Sequence, residues 1–163
     1  MFREAITHLD HGEYKKAQTL LLTLVKEKPN EAELQFYLAS TYDGLGQETE
    51  AIPHYQQAIE LGLTGVNYEK AYVQLGSSLR CIGKYAEAEK IFHSGLKEFP
   101  KNAALSVFLA ITEYNLGYTR QSTQRLLTVL MEEPTNEWLQ TYKKALTFYA
   151  AHLDETWTDT SDT

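Results

Sequence analysis

Apolar residues along the chain recur three and four positions apart, in short runs broken by glycine or proline, which gathers them on one face of a helix. Leu34, Leu38 and Tyr42 mark one helix, and Ala51, Tyr55 and Ala58 mark the next. Tyr72, Leu75, Gly76 and Leu79 follow, then Ala88, Phe92 and Gly95, then Leu105, Leu109 and Ala110, then Leu126 and Val129. The pattern itself repeats. Gly12, Gly46, Gly83 and Gly117 stand 34, 37 and 34 residues apart, and so do Ala17, Ala51, Ala88 and Ser122. Ala5, Ala39, Gly76 and Ala110 make a third ladder with these intervals, and Pro29, Leu63, Pro100 and Pro134 a fourth. A fixed period of this size predicts a solenoid, in which each unit buries its apolar face only against its neighbours.

Within a unit, glycine ends the first helix in a left-handed turn and the second helix follows closely. Proline near the end of the second helix stops it, and Asn30, Asn67, Asn102 and Asn136 are placed to cap the helices that come next. The 37-residue step predicts a three-residue insertion around Thr64 to Tyr68 that lengthens a loop beside Gly62 and Gly65 and leaves the stacking intact. Pro53 predicts a late or distorted start to its helix, with Thr49 as cap. Residues 136–153 read as a ninth helix closing the C-terminal end of the stack, and residues 154–163 as an acidic, flexible tail.

These ladders resemble the tetratricopeptide-repeat family, whose unit is a pair of antiparallel helices repeated every 34 residues. Tyr72, Leu75, Gly76, Leu79, Gly83, Tyr85, Ala88, Phe92 and Pro100 all stand where that pattern places them. The second unit departs from it at Gln35 and Leu63, the fourth at Ser122, and the first at Glu4 and His8, as an end unit with one face in water should. The resemblance spans residues 1–153 and is similar in layout to short stand-alone bacterial repeat proteins. It implies an all-α fold: an α-solenoid wound as a right-handed superhelix, with about four helix-turn-helix units and a C-terminal capping helix. The units run over 1–29, 30–65, 66–100 and 101–134, and the cap over 136–153, in one domain.

The resemblance also implies a concave groove lined by the first helix of each pair. Carried onto this chain, that face presents Phe2, Ile6 and Leu9, then Glu33, Phe36, Ser40 and Asp43, then Lys70, Val73, Ser77, Arg80 and Cys81, then Val107, Ile111, Tyr114 and Asn115. Trp138 and Tyr142 extend it. Some family members clamp the C-terminal carboxylate of a chaperone peptide with lysines, asparagines and an arginine in these positions. Phe36 and Ser40 stand here in place of the first lysine and asparagine, which disfavours that role. A largely apolar and aromatic groove suits an amphipathic helix or an extended apolar segment. The competing reading is that some of these aromatics pack between repeats.

Charge and chemistry narrow the field further. The formal charge is −7, with 22 acidic against 15 basic residues and no basic stripe, so neither nucleic acid nor a membrane surface is an expected partner. A single cysteine, Cys81, precludes an internal disulfide, and an N-terminus without a signal-like apolar core leads to an expected cytoplasmic location. His8 and His11 lie three apart but lack further ligands, so no metal, cofactor or catalytic set is expected. The function expected is a protein-interaction scaffold that binds an apolar or amphipathic segment of another protein. The alternative is a structural protein that forms a homodimer through the same surface; an enzyme or metal protein is a remote third. Trp157, alone among acidic and polar residues, is expected to dock in a groove near Lys70 and Arg80 or to pack locally on the last helix.

Overall fold

Gly12, Gly46, Gly83 and Gly117 adopt φ values of +72, +70, +79 and +84°, and each reverses the chain between two helices joined by only three residues. The computed structural model describes residues 1–132 and 135–157; Pro134, the last rung of its ladder, and the tail beyond Trp157 lie outside the described residues. Four helix pairs result: α1 (Phe2–Asp10) with α2 (Tyr14–Glu27), α3 (Ala32–Gly44) with α4 (Glu48–Glu60), α5 (Gly65–Cys81) with α6 (Tyr85–Glu98), and α7 (Ala103–Asn115) with α8 (Thr119–Glu132). Two short helices follow, α9 (Glu137–Thr141) and α10 (Lys143–Ala151).

The small-residue ladder sets how closely the helices approach. A Cβ at Gly76 would fall 2.4 Å from the ring of Phe92, so that ring lies directly on the α5 backbone. On its other side Phe92 stacks on Phe108 of α7, with centroids 6.0 Å apart. One ring thereby joins three helices. Tyr55 holds the same register one unit earlier, fully buried against Phe36. The core runs unbroken from Phe36 to Leu109, and a smaller cluster of Ala5, Leu21, Leu34 and Leu38 meets it at Tyr37 and Tyr42. Each fully buried leucine, valine or phenylalanine among them contributes roughly 1.5–3 kcal/mol by leaving water. Arg125 ties α8 to α7 through a two-pronged bond to the buried Glu113 carboxylate, at 2.8 and 3.1 Å.

Several local expectations are revised. The insertion lengthens a helix, not a loop: α5 has 17 residues against 13 in α3 and α7. Three residues are close to one helical turn, so the phase of the packing face is nearly kept. The added turn is held by Tyr68, whose ring packs 5.3 Å from both Tyr72 and Phe99, and the stacking of the second and third pairs continues across it. Asn102 and Asn136 cap as expected, accepting from Leu105 N and Trp138 N. Asn30 does not cap, because α3 starts after Glu31 and Gln35 holds the loop by donating to the Pro29 carbonyl. Asn67 lies inside α5 and instead donates to Glu33 Oε2 and Tyr37 Oη, each at 3.1 Å. Helix α4 starts at Glu48, with neither delay nor a Thr49 cap; Pro53 is exposed on the face opposite Ala51, Tyr55 and Ala58, which anchor the helix.

The largest revision is at the C-terminus. The single capping helix is divided at Tyr142, which leaves helical geometry (φ −100°, ψ 10°) where its ring packs edge-on to Phe108. The two pieces pack on the first helices of the third and fourth pairs and leave much of α8 uncovered.

Candidate functional site

First helices α1, α3, α5 and α7 present the expected groove residues in very different states. Phe36, Val73 and Arg80 are buried, at 3%, 0% and 0% exposure, and Ile111 is also buried. Phe36 belongs to the core, packed between Tyr37 and Tyr55, so it forms no open wall. Phe2, Ile6, Ser40, Lys70, Ser77 and Val107 are half-buried, and Tyr114 is exposed. Phe2 meets Tyr37 edge-on at 5.6 Å, joining the α1 and α3 stretches of the surface.

Over α5 and α7 the groove is already filled. Trp138 and Tyr142 stack on each other, and Tyr142 meets Phe108. They fill the groove where they were expected to line it. Tyr149 of α10 goes deeper: its ring meets Phe108 at 6.1 Å and lies 4.3 Å from the Arg80 guanidinium carbon, a cation–π contact. Its Oη lies 3.1 Å from Cys81 Sγ and 3.5 Å from Ser77 Oγ. Arg80 Nη1 donates to Asn115 Oδ1 at 3.4 Å, and Asn115 Nδ2 in turn donates to the Leu153 carbonyl. The Trp157 ring packs on the last helix, 5.6 Å from Phe148 and 6.1 Å from Tyr149, while its backbone N–H donates to the Cys81 carbonyl of α5 at 2.8 Å. Phe108 escaped the sequence reading, although Tyr37, two units earlier in the same register, hinted at an aromatic there.

At the edge of this contact, Asp43, Glu48, Val73, Ser77 and Tyr149 border a cavity of about 190 Å³. Asp43 accepts from Tyr55 Oη at 2.7 Å and from Ser78 Oγ at 2.8 Å, which binds α3 to α4 and α5. Burial nevertheless pushes its carboxyl up to about 7, with Glu48 adding to the rise. An unfolded aspartate titrates near 4. Between about pH 4 and pH 7 the folded chain therefore holds a proton that the unfolded chain has released, and stability from this group falls as pH rises through that window. Denaturant unfolding of Asp43→Asn, which has no such proton, is expected to show a flatter pH dependence than the native chain. Parallel curves would remove Asp43 from this role.

Elsewhere among the described residues no side chains assemble a nucleophile with a base. Burial pushes the Cys81 thiol up, against the thiolate form that chemistry would need. His8 pairs with Glu13, and His11 Nδ1 lies 2.7 Å from the Thr7 carbonyl, so each is accounted for within the first pair. Among the described residues no three histidine, cysteine or acidic side chains gather as metal ligands, and no helix is long and apolar enough to cross a membrane.

Comparison with known proteins agrees with this architecture. The family described as Tetratrico peptide repeat matches residues 32–153. Among solved structures the chain is similar to YrrB, described as a TPR protein with an unusual peptide-binding site. They share 21% identity with a TM-score of 0.73, over 86% of this chain and 71% of YrrB. It is also similar to MamA, at 20% identity and a TM-score of 0.73, over 88% of this chain and 73% of that one. No curated protein matches the chain in sequence.

Proposed function

The chain belongs to the tetratricopeptide-repeat family, and on that footing we propose that it is a protein-interaction scaffold whose concave face holds an apolar or amphipathic segment of another protein. The observation that carries this reading is α10. The α5–α7 stretch of the groove accommodates an aromatic helix through Phe108, Arg80 and Ser77, so a helix in the groove is a geometry this surface accepts. The α1–α3 stretch, with Phe2, Ile6, Tyr37 and Ser40 half-buried, continues that surface toward solvent. The peptide-binding site described for YrrB makes a peptide the natural class of partner. A homodimer held through the groove has less support, because α10 already covers Ser77 and Phe108. We assign no catalytic role, and a single buried thiol fits a reducing compartment such as the cytosol.

A photo-crosslinking amino acid at Ser40 tests the reading, with exposed Lys90 on α6 as the control position. Ser40 is expected to capture a discrete partner through an apolar or amphipathic segment, identified by sequencing the crosslinked peptide. Equal capture at Lys90, or a polar, featureless crosslinked segment at Ser40, would refute it.

A further inference from the structure

Helix α8 carries an apolar face that no helix among the described residues covers: Leu126, Leu127, Leu130 and Met131 are 40, 55, 62 and 80% exposed. Register explains half of it. Leu126 stands where Tyr55 and Phe92 stand in the preceding pairs, and Leu130 where Ile59 and Leu96 stand. Those counterparts pack against the core as the next pair stacks on them, whereas α9 and α10 turn into the groove and leave the α8 face bare. Register does not explain the other half. Leu127 replaces the exposed Gln56 and His93, and Met131 replaces the exposed Glu60 and Lys97. The face is therefore wider than a following pair in this chain requires, and Leu127 and Met131 extend it onto an open strip of α8 that also carries Arg120, Gln124 and Glu132. Four large apolar side chains in one exposed patch mark an interaction surface.

We propose that this face is the interface of a two-fold homodimer, in which α8 packs antiparallel against α8 of a second copy. Two observations select that occupant. The opposite end of the stack does not match, because α1 places exposed Glu4 where Leu38, Leu75 and Leu109 are buried; head-to-tail assembly would bury that carboxylate. The α8 face does match itself. Arg120 and Glu132 stand at the two ends of that open strip of α8, so an antiparallel pair brings each arginine to the partner's Glu132, with Leu127 and Met131 on the same strip. A parallel pair would instead set like charges together.

Light scattering after size exclusion, over about 1–200 µM of the 163-residue chain, reads the result directly. The mass is expected to rise from monomer toward dimer with concentration. Leu127→Glu, an exposed change to a good helix former, is expected to stay monomeric with unaltered helical circular dichroism. Arg120→Glu and Glu132→Arg are each expected to weaken the dimer about tenfold, and the double variant to restore it, because reversal of both charges recovers the pairing. A monomer at every concentration overturns the proposal, as does a dimer indifferent to Leu127→Glu or a double variant weaker than both singles. A monomer whose α8 amides resist hydrogen exchange would assign the face to the chain's own C-terminal helices, and overturns it equally.

Discussion

Phe92→Ala is expected to destabilise the chain by about 3–5 kcal/mol, a large share of the stability of a domain this size. The ring is fully buried, lies on the bare backbone at Gly76 and stacks on Phe108, so its loss hollows out the junction of α5, α6 and α7 together. Collapse cannot readily fill the void, because Gly76 has no side chain to move into it. Urea unfolding followed by circular dichroism measures the change. A loss below about 1.5 kcal/mol would mean that the three helices are not held by this ring.

Tyr149→Ala is expected to act differently, by releasing one element. The ring meets Phe108, Arg80 and Trp157, and its hydroxyl lies against Cys81, so truncation removes about 2–4 kcal/mol from the seat of α10. Since α9 and α10 pack on the stack from one side, the loss should appear as local opening before global unfolding. Hydrogen exchange of the variant is expected to show α10 unprotected while α3 to α6 keep native protection. It should also uncover the Arg80 guanidinium, whose Nε and Nη2 have no hydrogen-bond partner among the described residues. Native exchange rates in α10 would show that other contacts hold it.

The helix pairs were legible because they are written four times: no single Gly or Ala is diagnostic, but Gly12, Gly46, Gly83 and Gly117 at one interval are. The insertion was misread because flanking glycines suggest a turn, whereas Tyr68 supplies packing that makes an added helical turn worthwhile. Asn67 was misread for a related reason: its partners, Glu33 and Tyr37, belong to the previous pair and are distant in sequence. The periodicity assigned the expected groove residues to the first helices, but it could not say which of them would be open: Phe36, Val73, Arg80 and Ile111 are buried. An apolar stripe such as Tyr142, Leu146 and Tyr149 fits either the end of a stack or its groove, and periodicity cannot choose between them. That choice rests on contacts such as Tyr149 with Ser77, 72 residues apart.

Those long-range contacts change how the molecule should come apart. A stack linked only between neighbours behaves as a one-dimensional array, whose terminal units fray one after another. Here α10 reaches back over α7 of the fourth pair to α5 of the third, so these three helices form a closed loop of contacts rather than a simple chain of neighbours. The N-terminal pair keeps its own small cluster and packs on α3, with Gln57 of α4 adding a bond to the Pro29 carbonyl just after α2. Unfolding should therefore proceed from the N-terminus, with the C-terminal half lost in one cooperative step. That half must also close a long loop before its last helix finds its seat, which makes it the slower part to fold.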